Sequence, residues 1–377
     1  MNFQETEKQK QNNLKITKPL AFEKMQHFNE KVSRGESIAI IQLQYNYICN
    51  MKCVHCHVKQ FQQKFKNKRR MAPDDVKNLS QQADELGLAR FVITGGEPLI
   101  FKDFDKIIEA IDPSKFSINI DTNAWFLNDK KAKHLKEIGV DRVQISVDSL
   151  DEQEHDNFRR KPGAHKKAVA AIDTSIKAGL SILITTVATR QRIRSGEFLN
   201  FVKYFNQQDV TIYANYPKPV GMWEGQTDIL VEPEDTEYIR ELEKQYNVCT
   251  HLTPGYGRNM GCGSVKDIIG ITEYGDVMPC PFIHVSLGSI YDEPLQDLIN
   301  KGLSIKFFGE YSNLCIMAED QNFIHNYMDS KVFGKEIPVI YTEVFSKDDQ
   351  TKTPFHITML QENKINLNTK KNNEKLL

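Results

Sequence analysis

Three cysteines fall within one short segment, residues 45–57, where Cys49, Cys53 and Cys56 have C-x3-C-x2-C spacing. A cubane iron–sulfur cluster has four iron corners, which proteins normally bind through Cys thiolates. Three thiolates on one loop fill three corners and leave one iron open to a cofactor. The alternatives are a zinc knuckle or three unrelated thiols, but zinc sites usually combine two C-x2-C pairs, and no distant second pair follows here. The spacing favours an open [4Fe–4S] cluster.

The cluster segment resembles the loop that binds this cluster in radical S-adenosylmethionine (radical SAM) enzymes, with His55 before the third cysteine. A second motif, Thr-Gly-Gly-Glu-Pro at residues 94–98, resembles the family's Gly-Gly-Glu-Pro motif after the second barrel strand. The resemblance implies that the open iron binds the methionine part of SAM and that reduction generates a 5′-deoxyadenosyl radical. The protein then mainly positions its cofactors.

Polar residues at predicted strand ends resemble the family's SAM contacts. Gly95 and Gly96 let the backbone approach a ligand closely, and the Glu97 carboxylate is able to accept from SAM's ammonium. The remaining cofactor-binding candidates from the resemblance are Thr122, Asn123, Ser146, Asp148 and Arg159, the last matching better than Arg160. Strand-end capping, or a surface ion pair for the arginine, would explain the same residues without a ligand.

A second group of cysteines follows in the C-terminal half. Cys262, Gly275 and Cys280 fit the opening C-x12-G-x4-C of SPASM and twitch domains, which are auxiliary-cluster extensions of many radical SAM enzymes. With Cys315 they imply a second, auxiliary [4Fe–4S] cluster. The chain departs from the four-cysteine twitch pattern at the end, because Ala318 stands where C-x2-C would supply the last thiolate.

The missing thiolate leaves the last iron of this cluster open or bound by another ligand. Water, Cys249, a carboxylate such as Asp320 or a substrate atom remains possible. Cys249 is the candidate catalytic residue, as a hydrogen-atom donor, although an ordinary buried thiol is the commonest fate of a lone cysteine.

The elements that position these motifs alternate between strands and helices. Apolar, β-branched runs predict six strands, at 37–44, 89–94, 116–121, 141–148, 180–188 and 210–215. Amphipathic stretches predict helices between them, at 73–87, 102–111, 128–138, 165–178 and 196–206. Such βαβ units predict an α/β fold, an open partial (β/α)6 TIM-like barrel, with ligands at the carboxyl ends of the strands.

The predicted domains follow from this pattern. Residues 1–37 form an N-terminal lead-in helix, centred on 20–34 after a frayed 1–18, and 38–230 form the radical SAM partial barrel. Residues 231–330 form a small SPASM/twitch-like domain with a helix at 232–246 and a β-hairpin between Cys262 and Cys280. Residues 331–377 are an extension with a strand at 339–345 and a disordered end from 363.

Composition excludes several classes of protein. The 377 residues carry 49 Lys and Arg against 50 Asp and Glu, and this net charge of −1 gives no reason to expect nucleic acid. The sequence lacks a signal peptide and an apolar run long enough to span a membrane, so we expect a cytoplasmic protein. Seven clustered cysteines favour metal binding over a disulfide framework.

The resemblance therefore predicts a radical SAM enzyme that abstracts a hydrogen atom from a small-molecule or peptide substrate, in an oxidation, epimerisation or cross-linking reaction. It implies SAM, iron–sulfur cofactors and an electron donor such as flavodoxin or ferredoxin. About 37 residues before the first strand leave no room for a leader-binding domain, which tilts the expectation toward a small or leaderless substrate. The alternative is a non-enzymatic iron–sulfur or zinc protein with a structural or redox-sensing role.

Overall fold

Six consecutive parallel strands form the centre of the molecule. The computed structural model describes residues 3–62, 68–254 and 259–355. The six strands are β1 (Ile40–Asn46), β2 (Arg90–Gly95), β3 (Ser117–Thr122), β4 (Arg142–Ser146), β5 (Ser181–Val187) and β6 (Thr211–Asn215). Each pairs in parallel with the next in chain order, so their carboxyl ends lie at one edge. The predicted six-stranded arrangement is confirmed.

The sheet extends beyond these six strands. The added strands are β7 (Val248–Cys249), β8 (Ile268–Ile271) and β9 (Val277–Met278), and the order of the nine-stranded sheet is β7-β6-β5-β4-β3-β2-β1-β8-β9. We expected the barrel to end before Cys249, but this residue pairs in parallel with Tyr213 of β6. The hairpin is as expected, since β8 pairs antiparallel with β9. Because β8 also pairs with β1, the hairpin continues the barrel sheet.

Helices connect the strands and cover their outer surface. They are α1 (Phe3–Thr17), α2 (Pro19–Gln26), α3 (Phe28–Ser33), α4 (Pro73–Glu85), α5 (Phe104–Ile111), α6 (Asp129–Glu137), α7 (Glu152–Arg159), α8 (Ala164–Lys177), α9 (Arg190–Arg194), α10 (Glu197–Asn206), α11 (Pro233–Gln245), α12 (Leu295–Leu303), α13 (Lys306–Gly309), α14 (Gln321–Phe323) and α15 (Tyr341–Val344). Short 3-10 helices lie at Lys59–Gln62, Pro98–Ile100, Gly221–Trp223 and Lys347–Asp349, and a π-helix lies at Ile324–Asp329. No helix within the described ranges is long and apolar enough to cross a membrane.

The two ends differ from the predictions in detail. Phe3–Thr17, expected to be frayed, form α1, and the predicted lead-in helix is present as α2 and α3, divided at His27. Of the strand predicted at 339–345, only β11 (Val339–Ile340) is strand, paired in parallel with β10 (Val285–Ser286). The end expected to be disordered lies outside the described residues.

The core explains why these segments form a parallel sheet under helices. Ile41, Leu43 and Ile93 are completely buried, as expected for strands covered on both faces. On α5 the buried residues follow helical spacing, and they are Phe104, Ile107, Ile108 and Ile111. This apolar stripe belongs to the same hydrophobic core as the buried residues of the strands.

Candidate active site

The predicted cluster loop begins where β1 ends and is held by three other segments. Gly96 N donates to Asn46 O at 2.8 Å, and Glu97 N donates to Ile48 O at 2.8 Å. Further along, Val54 N donates to Phe158 O at 3.0 Å, and Met222 N donates to Cys56 O at 3.0 Å. Backbone bonds to the β2, α7 and 221–223 segments therefore fix the loop without using its cysteine side chains.

Three glycines make this packing possible. A Cβ at Gly96 would lie 2.0 Å from Ile48 O, and one at Gly221, whose φ is +64°, would lie 2.2 Å from Cys56 O. Gly95 has φ +119° and would bring a Cβ to 2.3 Å from Asn46 O. We predicted that Gly95 and Gly96 let the backbone approach a ligand; their tightest contacts are with the cluster loop itself, although both also line the central cavity. The sequence analysis missed Gly221.

One cavity of about 830 Å³ brings both cysteine groups together. The cysteines that line it are Cys49, Cys53, Cys56, Cys249, Cys262, Cys280 and Cys315, which are all seven in the chain. The first three come from the loop after β1. Cys249 comes from β7, Cys262 and Cys280 from the segments that flank the β8–β9 hairpin, and Cys315 from the segment between α13 and α14. Because β8 pairs in parallel with β1 (Ile40 with Ile268) and β9 runs back antiparallel, Cys262 and Cys280 lie toward the start of β1, whereas the cluster loop follows its carboxyl end. The cavity therefore runs along the strands between the two groups.

Burial determines the chemical state of these thiols. It raises the pKa of Cys49 and Cys315 to about 12, and that of Cys56 and Cys280 to about 11. Thiols with such high pKa values are poor nucleophiles, whereas a bound metal ion displaces the proton and stabilises the thiolate. The environment therefore suits metal ligands better than nucleophiles.

The number and kind of donors in each cysteine group suit an iron–sulfur cluster. Each group offers three thiols, and a cubane takes each thiolate on a different iron. Within the described ranges, no three His, Cys, Asp or Glu side chains converge on a point that would hold one metal ion.

The carboxylate of Glu97 is completely buried and bridges two strand ends. Its Oε1 accepts from Thr122 Oγ1 at 2.7 Å and from Leu99 N at 3.1 Å, while Oε2 accepts from Asn123 N at 2.8 Å. Burial raises the pKa of Glu97 to about 7, although these bonds oppose the shift. A cation at the site would favour the ionised form.

Thr122, Asn123 and Ser146 all line the cavity, at the ends of β3 and β4. Asn123 is also tied to the cluster loop, because its Nδ2 donates to Asn50 Oδ1 at 2.9 Å and lies 3.9 Å from Cys49 Sγ. The predicted strand-end candidates and the cysteine loop thus form one connected site.

Asp148 and Arg159 form a buried ion pair directed at the cluster loop. Arg159 Nε donates to Asp148 Oδ2 at 2.6 Å, and Nη1 lies 3.8 Å from Cys53 Sγ. Burial alone would raise the pKa of Asp148, but the charge and hydrogen bond of Arg159, together with the charges of His55 and His155, outweigh it and lower the value to about 2. The neighbouring Arg160 is exposed and ends α7 with φ +50°, which supports the choice of Arg159.

Aromatic rings enclose the loop around His55. This ring stacks on Phe158 at 4.5 Å between centroids and lies 5.8 Å from Trp223. Trp223 and Tyr216, in the segment after β6, both line the cavity. Phe158 was missed because nothing in the sequence distinguishes it from an ordinary apolar residue of an amphipathic helix.

The auxiliary cysteines are held by local bonds. Cys262 N donates to Ser312 O at 2.7 Å, which brings the start of the hairpin segment to the segment before Cys315. Cys315 N donates to Glu319 Oε2 at 2.8 Å. Asp320, one of our candidates for the fourth ligand, accepts from Phe323 N at 2.9 Å at the start of α14.

Comparison with known proteins identifies one domain of the chain. Residues 43–193, which span the cluster loop and strands β2 to β5, match the family described as the Radical SAM superfamily. This part of the chain is a radical SAM domain. Members of this superfamily are enzymes that use SAM and a [4Fe–4S] cluster, so the predictions of family, enzyme class and these two cofactors are confirmed.

Curated radical SAM relatives differ in their named activities. An AdoMet-dependent heme synthase of Methanosarcina barkeri is 24% identical over 279 residues, covering 66% of this chain and 78% of that protein. A probable GTP 3′,8-cyclase of Methanocella arvoryzae is 26% identical over 170 residues, covering 45% of this chain. The match covers only 54% of the cyclase.

Solved structures share the fold. SuiB of Streptococcus suis, bound to the precursor peptide SuiA, gives a TM-score of 0.55 at 16% identity, over 73% of this chain and 68% of SuiB. The enzyme anSMEcpe with bound AdoMet gives 0.53 at 20% identity, over 70% of this chain and 81% of anSMEcpe. The partial-barrel radical SAM fold of this chain is thereby confirmed.

Proposed function

We propose that this radical SAM enzyme abstracts a hydrogen atom from a substrate bound between two [4Fe–4S] clusters. The observation that carries the proposal is the shared cavity. It is lined by Cys49, Cys53 and Cys56 from the loop after β1, and by three cysteines from the C-terminal part of the sequence, which are Cys262, Cys280 and Cys315. A substrate in this space would lie within reach of both sites.

The first cluster, once loaded, supplies the chemistry of reductive SAM cleavage. The chain's own residues then bind and orient the cofactor. Arg159 offers a fixed positive charge beside Cys53, suited to a carboxylate. Glu97 offers a buried carboxylate, suited to an ammonium group, just behind the cavity wall, where it is hydrogen-bonded to Thr122 and Asn123. These two residues and Ser146 line the cavity itself. Aromatic packing around His55 keeps water from one side of the loop.

The auxiliary cluster and the division of the chain also belong to this proposal. Residues 38–230 act as the radical SAM unit, and 231–330 supply the SPASM/twitch-like site through the β8–β9 hairpin. The pairing of β8 with β1 supports a fixed distance between the two clusters. Residues 1–37 precede and 331–377 follow these units.

The cavity favours a small substrate group. SAM, two clusters and the substrate must share about 830 Å³, a volume typical of a single small-molecule pocket. A small molecule, as the names of the curated relatives suggest, or one side chain of a peptide, as in the SuiB complex, meets this limit. Oxidation, epimerisation and cross-linking remain the candidate outcomes, with a flavodoxin or ferredoxin as electron donor.

Anaerobic reconstitution with iron and sulfide, followed by SAM and dithionite, tests the activity. We expect 5′-deoxyadenosine to form, and to be lost when Cys49, Cys53 and Cys56 are all replaced by Ala. The matched control replaces Cys262, Cys280 and Cys315 by Ala and should retain SAM cleavage without substrate. Undiminished cleavage in the first variant would refute the assignment, and metal binding without any cleavage would favour a sensor.

A further inference from the structure

The auxiliary site has three cysteines and needs a fourth ligand for its last iron. Asp320 caps α14, and Glu319 accepts from Cys315 N and lies 3.9 Å from Arg240, so both carboxylates already have partners. Ala318, at the position of the missing thiolate, is completely buried and offers no donor atom. Another side chain in the cavity wall is required if the protein itself completes the cluster.

His251 is a histidine in this wall without a role in the fold. It lies two residues beyond β7 and lines the cavity with the auxiliary cysteines. Both of its ring nitrogens are buried, and neither has a hydrogen-bond partner among the described residues. Leaving a buried polar atom unpaired costs about 1–3 kcal/mol, so two on one ring indicate a partner that a bound group supplies.

A chain of contacts joins His251 to the segment of the auxiliary cysteines. Its ring lies 5.7 Å from that of Tyr216, whose carbonyl oxygen accepts from Lys218 Nζ at 2.9 Å. The same Lys218 Nζ lies 4.4 Å from the ring of Phe282, two residues beyond Cys280. Phe282, Cys280 and His251 all line the one cavity.

We propose that His251 is the fourth protein ligand of the auxiliary [4Fe–4S] cluster, completing a Cys₃His set with Cys262, Cys280 and Cys315. This inference rests on the second cluster of the proposed function. Neutral imidazole is a suitable ligand for iron, as in Rieske centres, where histidines replace cysteines. The second ring nitrogen would then be available to a substrate or a water.

His57 is the strongest competing histidine. Its Nε2 is also buried without a hydrogen-bond partner in the described part of the chain, and it lines the same cavity. However, its backbone is fixed in the first cluster loop beside Cys56, where Gly221 packs against its Cα, and its ring lies 4.8 Å from that of Phe282. Cys249 is the other competitor, but its Sγ donates to Ile212 O at 3.6 Å within the sheet.

Pulsed EPR of the reduced auxiliary cluster tests the ligand directly. The protein is the full chain with Cys49, Cys53 and Cys56 replaced by Ala, so that only one cluster contributes, reconstituted anaerobically with iron and sulfide. We expect a strong ¹⁴N hyperfine coupling that changes to ¹⁵N when the protein carries ¹⁵N-imidazole histidine. His251→Gln should remove the coupling, and His57→Gln should leave it unchanged.

The further variant His251→Cys keeps the test independent of folding. It should retain about four irons per chain, by cubane stoichiometry, and give an all-thiolate spectrum without the nitrogen coupling. Absence of histidine coupling in the unaltered site, or its loss in His57→Gln alone, would overturn the assignment. Absence of any cluster in the Cys49/Cys53/Cys56 variant would instead refute the second cluster itself.

Discussion

The guanidinium of Arg159 lies 3.8 Å from the sulfur of Cys53 while its Nε donates to Asp148 at 2.6 Å. Removing this positive charge should stabilise the oxidised first cluster. Arg159→Met is therefore expected to lower the reduction potential of this cluster by roughly 100–200 mV, the order given by Coulomb's law at an effective dielectric constant of about 20, and to weaken SAM binding. An EPR-monitored redox titration measures this potential. It is carried out in the Cys262/Cys280/Cys315→Ala background, so that only the first cluster contributes. Arg160→Met is the matched control, and equal shifts in both variants would contradict the prediction.

Glu97 should make SAM binding depend on pH. Its pKa of about 7, raised by burial, means that the carboxylate ionises between pH 6 and 8 in the free protein, so affinity for the SAM ammonium should rise over this range. A charge-assisted hydrogen bond is worth about 1.5–3 kcal/mol, and Glu97→Gln should weaken binding roughly ten- to a hundredfold at pH 8, with a smaller effect at pH 6. Calorimetric titration at both pH values checks this. If Glu97→Gln and the unaltered protein bind SAM with equal affinity at pH 8, Glu97 has a purely structural role.

The same raised pKa has a consequence for folding. A carboxyl whose pKa rises from 4.5 in the unfolded chain to about 7 in the fold contributes stability that is present below pH 4.5 and is lost as pH rises to 7. In the cofactor-free protein, Glu97→Gln should reduce this loss. Urea denaturation at pH 5 and pH 8 measures the difference, and the stability of the variant relative to the unaltered protein should be greater at pH 8. If the difference in unfolding free energy between the variant and the unaltered protein is the same at pH 5 and pH 8, the raised pKa of Glu97 is contradicted.

Gly96→Ala should damage the first cluster site, because its Cβ would lie 2.0 Å from Ile48 O and the cluster loop would have to move. Overpacking of this kind typically costs about 1–3 kcal/mol. We expect iron content to fall by up to about four per chain, the content of one cubane, together with loss of SAM cleavage. Gly163→Ala is the control, since it has φ +82° but no atom within 4 Å of the added Cβ. An unchanged iron content in Gly96→Ala would contradict the prediction, because it would show that the cluster loop tolerates the displacement.

Iron analysis tests the number of clusters. Reconstituted protein should contain close to eight irons per chain, and each triple Cys→Ala variant, of Cys49/Cys53/Cys56 or of Cys262/Cys280/Cys315, should contain about four. The two sites should respond independently, because their ligands belong to different segments. Four irons in the unaltered protein, with zinc in the C-terminal site, would exclude the auxiliary cluster.

The sequence by itself determined the chemistry at the first site and the order of the barrel strands. Cys49, Cys53 and Cys56 lie within eight residues, and β1 to β6 alternate with amphipathic helices, so both signals are local and survive without knowledge of the fold. Even the hairpin between Cys262 and Cys280 was predictable from its turn.

Only the tertiary structure decided which distant residues meet. The pairing of β8 with β1 and of Cys249 with Tyr213 depends on contacts between segments far apart in the chain. So do the contacts of Gly96 and Gly221 with the cluster loop. The ring nitrogens of His251, which have no hydrogen-bond partner among the described residues, carry no sequence signal, because a lone histidine has neither period nor spacing. Their environment is visible only in the folded chain.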